Sequence, residues 1–224
     1  MIKAIAIDLD DTLLDTSGLL APKATVEAFN HLITNGLKLT IEDCETKRIQ
    51  LIKSISHRDV FEKLALEYGS AQTQKVVPET IRLFYDPAIP QTLPLMDGAR
   101  QNLDYLKKKY HLFLVTAGAE KSQMSKAEAL GIKQDFEKIF IIDSLSKKRK
   151  KEAFLNVVDS LKIKSSQLLC IGNSISSEIA DALSIDAMAC YFEFGENRGE
   201  ISQLPRKPHY HIKHHSELIT TCRL

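Results

Sequence analysis

Short apolar runs recur along the chain, and a polar or small residue follows most of them. The runs cover residues 3–7, 111–116, 138–142, 168–172 and 187–192. Short continuous apolar runs that alternate with helical patterns are typical of parallel strands buried on both faces of a sheet. The pattern therefore predicts an α/β fold built on a parallel sheet.

The segments between these runs have the spacing of amphipathic helices. After Gly98, residues Ala99, Leu103 and Leu106 stand at i, i+4 and i+7, which places them on one helix face. Residues 151–161 repeat this spacing. In open parallel sheets, ligands bind at the carboxyl ends of the strands. The polar residues that close the apolar runs are therefore the first candidates for a functional site.

Residues 17–90 interrupt the alternation of strands and helices. Two short sequences of the form Thr/Ser-x-x-Asp, at 40–43 and 56–59, resemble the capping boxes that begin helices. The segment contains helix starts and stops without a strand-like run. We therefore expect an α/β core domain formed by 1–16 and 91–224, with 17–90 inserted as a small all-helical domain.

The amino-acid composition limits the kinds of binding partner and the cellular compartment that we expect for the protein. The 224 residues include 30 Lys and Arg against 29 Asp and Glu, so no charge excess indicates a nucleic acid or an anionic membrane. No window reaches the roughly 18 consecutive apolar residues of a membrane helix, and the first residues lack the pattern of a signal peptide. The four cysteines are scattered without a CxxC pair. We expect a cytoplasmic protein with no membrane or nucleic-acid partner.

The strongest chemical pattern follows the first apolar run. Asp8 and Asp10 stand two positions apart, so their side chains point the same way on a strand and can converge just beyond its end. On this spacing alone, a polar strand end with an Asx turn explains the pair equally well. The other strand ends are needed to decide between the two interpretations.

Those strand ends supply complementary groups. Thr116, followed by Ala117 and Gly118, offers a hydroxyl and backbone N–H groups that suit a phosphate oxygen. The basic run 147–151 opens the helix after the third main strand, where a cation can neutralise a phosphate and hold a nucleophilic carboxylate. The sequence GNSISSE at 172–178 supplies oxygen ligands of the kind that Mg²⁺ prefers.

These four segments, in this order, resemble the haloacid dehalogenase superfamily, and specifically its phosphohydrolases. DLDDTL at 8–13 matches the first family motif, DxDxT, and FLVTAG at 113–118 matches the second, an apolar strand that ends in Thr or Ser. The resemblance covers nearly the whole chain outside 17–90. It implies a Rossmann-like core, a C1-type helical cap and a phosphate-transfer site.

The resemblance also implies a role for each matching residue. Asp8 would be the nucleophile that forms an aspartyl-phosphate, and Asp10 the general acid and base. Thr116 would hold a phosphoryl oxygen together with Ala117 and Gly118, and a lysine of the basic run would bridge Asp8 and the phosphate. The ligands implied for a Mg²⁺ cofactor are Asp8, Asp10, Asn173 and Glu178.

The third motif departs from the family pattern. In a KPxPxxF pattern, counting back from Phe154 gives Lys148, but the prolines are absent. A shorter KxEAF pattern gives Lys150, which lies closer to a helix start. We therefore favour Lys150 as the catalytic lysine and keep Lys148 as the alternative.

The fourth motif also departs, since GNSISSE stands where GDxxxD is usual. Asn173 offers a carbonyl oxygen without charge, and Glu178 can bind a metal directly or through water. The extra methylene of Glu178 changes the geometry of the site. This substitution pattern favours a weaker or differently tuned metal affinity over an inactive site.

We expect a Mg²⁺-dependent phosphomonoesterase that acts on a small phosphorylated metabolite, such as a sugar phosphate, a nucleotide or phosphoglycolate. A helical cap would close over the site and limit the substrate to one small enough to enclose. One alternative is a sugar phosphomutase with the same phosphoenzyme, and another is a weakly catalytic or inactive binding protein. Dehalogenase chemistry is disfavoured by Asp10, because that reaction has no leaving alcohol to protonate. A monomer and a homodimer are both compatible with the sequence.

Overall fold

A parallel sheet forms the centre of the main domain. The computed structural model describes residues 1–143, 146, 148–196 and 199–224. Within these ranges six strands pair in the order β3-β2-β1-β4-β5-β6, and every pair is parallel. The strands are β1 (Ala4–Ile7), β2 (His111–Ala117), β3 (Lys138–Ile142), β4 (Leu168–Gly172), β5 (Met188–Phe192) and β6 (Tyr210–Ile212). The predicted α/β fold with a Rossmann-like parallel sheet is confirmed.

Helices connect and flank the strands. They are α1 (Thr16–Leu19), α2 (Ala21–Thr34), α3 (Ile41–Leu51), α4 (His57–Tyr68), α5 (Ala71–Tyr85), α6 (Ala99–Leu106), α7 (Glu120–Ala129), α8 (Lys150–Leu161), α9 (Ala180–Ser184) and α10 (Leu218–Cys222). In the part of the chain that the structure describes, none of them combines the length and the apolar character needed to cross a membrane.

β1 lies in the interior of the sheet and positions the first motif, DLDDTL at 8–13, at the end of the strand. It pairs with β2 on one side and β4 on the other, and all four of its residues are buried. Burial on both faces explains why β1 is a continuous apolar run rather than an alternating one. Asp8 follows β1 directly, and its backbone N–H donates to the Ile171 carbonyl oxygen of β4 at 2.9 Å. The first carboxylate is therefore held at the carboxyl edge, between the ends of β2 and β4.

The chain divides into two units, one of Met1–Thr16 with Ile89–Leu224 and the other of Ser17–Ala88. The second unit consists of helices around its own apolar core. Phe29 and Phe61 are fully buried there, and their rings meet edge to face at 5.4 Å. The separate core explains why this stretch of sequence lacks strand-like runs.

Side-chain caps begin three helices of this second unit. The capping boxes predicted at 40–43 and 56–59 are both formed, at the starts of α3 and α4. A third box begins α5, where the Ser70 hydroxyl accepts from the Thr73 N–H at 3.2 Å. The sequence did not reveal this one, because Thr stands at the position where Glu or Gln is usual.

The C-terminal segment is fastened to the loop after β1 by a buried histidine. The His215 Nε2 group donates to the Thr12 carbonyl oxygen at 2.7 Å, and the Asn102 amide donates to His215 Nδ1 at 3.2 Å. An amide nitrogen can only donate, so Nδ1 accepts and the ring is the neutral Nε2–H tautomer. The histidine therefore connects the last elements of the chain to the nucleophile loop.

This contact predicts a pH dependence of stability. Burial lowers the pKa of His215 below its ordinary value of 6.5, against weaker opposing effects of Thr12 and Asp97. The unfolded chain then binds a proton more readily than the folded one, so His215 reduces stability as the pH falls below 6.5. We expect the contribution of His215 to the free energy of unfolding to decrease between about pH 8 and about pH 5.

Urea unfolding of the wild type and of His215→Gln at the two pH values checks this. At the higher pH, the variant should be less stable by about 1–3 kcal/mol, because buried partners lose hydrogen bonds. On acidification, the free energy of unfolding of the variant should fall less, or rise more, than that of the wild type, because the variant lacks His215. His209, whose pKa is lowered, and Asp8, whose pKa is raised to about 8, are present in both proteins and cancel in the comparison. An identical pH dependence in the two proteins would contradict the assignment.

Candidate active site

A buried lysine lies between two carboxylates at the carboxyl edge of the sheet. Lys150, the first residue of α8, places its Nζ 2.6 Å from Asp8 Oδ1 and also forms an ion pair with Glu178 Oε1. The side chains of Asp8, Lys150 and Glu178 are only 6%, 4% and 4% exposed. Three segments far apart in sequence thus meet around one ammonium group.

Two buried carboxyl groups share the single positive charge of Lys150. Burial, followed by the charge of Glu178, raises the pKa of Asp8 to about 8, although Lys150 opposes both effects. Burial alone would also raise the pKa of Glu178, but the Lys150 ammonium holds it below its ordinary value. The two carboxylates outweigh the cost of burying Lys150 and raise its pKa to about 12. One negative charge is left in excess when both carboxyl groups are ionised.

The turn after β4 orients Glu178 toward Lys150. Glu178 lies in a π-helical turn, Ile175–Ile179, and its Oε2 accepts from the Ser174 N–H at 3.0 Å. A Cβ at Gly172 would lie 2.7 Å from Glu178 Cγ, so the glycine gives this side chain its room. Asn173 follows Gly172, and its amide donates to the Phe194 carbonyl oxygen at 3.2 Å. Glu178 is therefore a counter-ion of Lys150 in this arrangement.

The donor set at this edge fits Mg²⁺. Magnesium takes oxygen ligands and is usually held by one or two carboxylates, with water and substrate phosphate completing its shell. The described residues include no group of three or more His, Cys, Asp and Glu that is arranged to hold a metal. Asp8, the Asp10 carbonyl and the Asn173 side-chain oxygen are a set of the magnesium type. The negative charge that remains when both Asp8 and Glu178 are ionised is of the sign that a divalent cation neutralises.

Asp10 occupies a different environment from Asp8. Its Oδ1 accepts from Thr16 Oγ1 at 2.5 Å and from Lys126 Nζ at 2.7 Å, and its Oδ2 accepts from Gln123 Nε2 at 2.8 Å. Burial alone would raise the pKa of Asp10, but the charge and hydrogen bond of Lys126 outweigh it and lower the pKa to about 2. Asp10 is therefore ionised and held on the side of α7.

Sequence reasoning missed Lys126 and Gln123. The available signal was their spacing, since residues three apart lie on one face of a helix and α7 follows the strand that ends near Thr116. Both side chains are buried although both are polar. The sequence of α7 has no apolar stripe that would have marked this face as buried.

Thr116, the residue before the last of β2, lies at the carboxyl edge of the sheet. Thr116 is fully buried, and its hydroxyl has no hydrogen-bond partner among the described residues. A buried hydroxyl without a partner is unusual and suits a site for a phosphoryl oxygen. The Ala117 carbonyl oxygen accepts from Gln123 Nε2 at 2.6 Å. The Gly118 N–H donates to the Ile142 carbonyl oxygen at 2.9 Å, so it belongs to the sheet and is not offered to a ligand.

The basic run brings one described lysine to Asp8. Lys148 is exposed, and its backbone N–H donates to Ser146 Oγ at 3.2 Å. Arg149 binds Asp181 at 2.7 Å. Lys147 lies outside the described residues. The structure thus places Lys150, and not Lys148, against the first carboxylate.

The Lys150 cluster predicts that substitution of Lys150 destabilises the protein far more than substitution of the nearby Lys148. Lys150→Met leaves Asp8 and Glu178 buried without a counter-ion, which should lower the free energy of unfolding by about 3–5 kcal/mol. The exposed control Lys148→Met should stay within about 0.5 kcal/mol of the wild type. Adding Glu178→Gln to Lys150→Met should restore part of the loss, because it removes one unpaired charge. Urea unfolding measures all four proteins, and equal effects at positions 148 and 150 would refute the buried cluster.

The residues of this site lie within a stretch of sequence that matches a known protein family. A family model described as haloacid dehalogenase-like hydrolase matches residues 2–181. The matched stretch includes Asp8, Asp10, Thr116, Lys150 and Glu178. The match therefore contains the whole cluster at the carboxyl edge.

Two curated relatives and one solved structure are similar over most of the chain. Glyceraldehyde 3-phosphate phosphatase of Pyrococcus furiosus is 28% identical over 203 residues, 87% of this chain and 82% of the relative. N-acylneuraminate-9-phosphatase of Mus musculus is 23% identical over 230 residues, 97% of this chain and 92% of the relative. The putative HAD-hydrolase YfnB of Bacillus subtilis, solved with magnesium bound, has a TM-score of 0.66 at 20% identity and covers 100% of this chain and 99% of its own.

Proposed function

The chain belongs to the haloacid dehalogenase-like hydrolase family, and we propose that it is a Mg²⁺-dependent phosphatase of a small phosphorylated metabolite. The observation that carries this proposal is the 2.6 Å contact between Lys150 Nζ and Asp8 Oδ1. It holds a carboxylate and a cation together at the strand edge, where a phosphate dianion has to be approached by a negatively charged nucleophile. Thr116, at the end of the adjacent strand, supports the same assignment.

In the proposed first step, Asp8 attacks the phosphorus atom. A new P–O bond forms to the Asp8 carboxylate, the bond to the leaving alcohol breaks, and Asp10 gives its proton to the leaving oxygen. The bound phosphate dianion favours the protonated form of Asp10 that this step needs, because a nearby negative charge raises the pKa of a carboxyl group. Lys150 and the Thr116 hydroxyl hold phosphoryl oxygens during the transfer.

In the proposed second step, water attacks the aspartyl-phosphate. Asp10, now ionised, accepts a proton from the water, and the bond between phosphorus and the Asp8 carboxylate breaks to release inorganic phosphate. The Lys126 ammonium favours this ionised form of Asp10. Asp8 and Asp10 return to their starting states, and the sum is hydrolysis of one phosphate ester by one water.

The residues proposed to hold Mg²⁺ are Asp8, the backbone carbonyl of Asp10 and the side-chain oxygen of Asn173. When bound, the metal would supply positive charge against the repulsion between carboxylate and phosphate. The same charge would favour the ionised form of Asp8, whose pKa burial and Glu178 raise in the protein alone. Asn173 contributes no charge, so we propose a weaker metal affinity than a carboxylate at that position would give. Glu178 acts mainly on Lys150, whose ammonium it orients.

The substrate class is proposed as a phosphate ester of a small metabolite. The names of the two curated relatives describe removal of phosphate from glyceraldehyde 3-phosphate and from an N-acylneuraminate 9-phosphate. Both compounds are alkyl phosphates that also carry carbonyl or hydroxyl groups. We propose that the helical unit Ser17–Ala88 acts as the cap that selects among such compounds, as the family resemblance implies.

Phosphate release from a metabolite panel tests the proposal. The panel includes both compounds named above, and each is assayed with Mg²⁺ and with a chelator. Asp8→Asn should reduce metal-dependent release by at least about a thousandfold, as removal of a covalent nucleophile does in other enzymes. Asp104→Asn, at an aspartate of α6 whose side chain is 46% exposed, is the matched control and should behave as the wild type does.

Three outcomes would contradict the proposal. Undiminished release by Asp8→Asn would show that another group attacks phosphorus. Conversion of a sugar phosphate to its isomer without release of phosphate would identify a phosphomutase instead. No turnover of any compound by folded wild-type protein would favour a binding role on this scaffold.

A further inference from the structure

A buried lysine and a buried glutamine on α7 contact Asp10. We propose that Lys126 and Gln123 are positioning residues that fix the Asp10 carboxylate in the orientation from which it exchanges a proton with the leaving group and with water. This inference rests on the proposed function, since Asp10 has to be the acid and base of the reaction. It assigns a role to two residues that lie outside the motifs recognised in the sequence.

The burial of Lys126 requires a specific partner. Its side chain is 8% exposed, and its Nζ lies 2.7 Å from Asp10 Oδ1, a residue 116 positions away in the sequence. Burying an ammonium group is unfavourable unless a carboxylate pairs with it. Lys121 on the same helix is exposed, so α7 does not require burial of its lysines in general. The position of Lys126 is thus explained by Asp10.

The hydrogen bonds fix Asp10 while leaving it able to react. A carboxylate has about four lone-pair positions. Among the described residues, Thr16 and Lys126 donate to Oδ1 and Gln123 donates to Oδ2. The Asp10 side chain is still 20% exposed. Three donors therefore set its orientation, and a position on Oδ2 stays available for the proton that moves.

Gln123 also connects Asp10 to the phosphate side of the site. Its Nε2 donates both to Asp10 Oδ2 and to the Ala117 carbonyl oxygen, at 2.8 and 2.6 Å. Both partners can only accept, so the orientation of the amide is determined. A Cβ at Gly118 would lie 2.5 Å from this Nε2, so the glycine makes room for the bridge. Gln123 thereby holds Asp10 at a defined distance from the end of β2, where Thr116 is proposed to bind phosphate.

Loss of this positioning has a specific kinetic consequence. A correctly placed proton donor accelerates a reaction about 10²–10⁴-fold, and a small displacement of the donor removes much of this acceleration. The contribution matters for an alkyl phosphate, whose alkoxide is a poor leaving group. It matters little for p-nitrophenyl phosphate, whose phenolate leaves without a proton. A positioning defect should therefore lower the rate on the alkyl phosphate much more than the rate on p-nitrophenyl phosphate. General disruption of the site should lower both rates.

The test compares kcat/KM for the best alkyl phosphate of the panel with kcat/KM for p-nitrophenyl phosphate. This constant reports the steps up to release of the alcohol, so a slow second step does not obscure the comparison. Lys126→Met should lose about tenfold or more on the alkyl phosphate, a part of the acid contribution, and less than about threefold on p-nitrophenyl phosphate. Gln123→Leu should show the same selective loss.

Two further variants distinguish positioning from a structural role. Lys126→Arg keeps the charge and the donors, so it should recover part of the alkyl phosphate activity that Lys126→Met loses. Lys121→Met, the exposed control on α7, should leave both constants unchanged. Circular dichroism melting checks that each variant is folded.

Equal losses of kcat/KM on both substrates would overturn the positioning role and indicate a structural one. Unchanged kcat/KM values in Lys126→Met would also overturn the positioning role. The wild type separates this failure from that of the proposed function. If the folded wild type hydrolyses neither substrate, the phosphatase proposal fails and the role of Lys126 fails with it. If the wild type hydrolyses both and the losses are equal, the phosphatase proposal stands and only the positioning role is rejected.

Discussion

The ion pair between Lys150 and Asp8 is the interaction on which the site depends. It is buried, and Glu178 shares the same ammonium group. The three side chains come from the end of β1, the start of α8 and the turn after β4, so their meeting requires the strand order that places β1 beside β4. Removal of one partner from such a cluster leaves a buried charge unbalanced. The same cluster therefore constrains both the fold and the chemistry.

Two aspartates separated by one residue acquire opposite properties from their surroundings. Burial and the Glu178 carboxylate raise the pKa of Asp8, whereas Lys126 overcomes burial and lowers the pKa of Asp10. The proposed roles need the reverse, an ionised Asp8 and a protonated Asp10, and bound ligands would supply it: a cation beside Asp8 would lower its pKa, and a phosphate dianion beside Asp10 would raise its pKa. Here the division proposed is a nucleophile that faces Lys150 and a proton carrier that faces α7. The backbone separates the two side chains by directing them to different elements.

The sequence predicted those parts of the structure that neighbouring residues along the chain determine. Continuous apolar runs identified five of the six described strands, because strands buried on both faces need apolar residues throughout. The short polar sequences at 40–43 and 56–59 identified helix starts. Lys150 could be preferred to Lys148 because it stands closer to a helix start. Lys126 and Gln123 were missed, because their spacing on one helix face does not identify a partner more than a hundred residues away. The engagement of Glu178 with Lys150 depends likewise on tertiary structure.

The location of the phosphoryl group during turnover tests the proposed chemistry most directly. Wild-type protein is mixed with its best substrate and Mg²⁺, quenched in acid and treated with borohydride, which reduces an acyl phosphate to an alcohol. Mass spectrometry of the digested protein then locates the modified residue. Reduction at Asp8, absent when substrate is omitted, is the result expected. Turnover without modification at Asp8, or modification at a different carboxylate, would contradict the central role given to the Lys150–Asp8 pair.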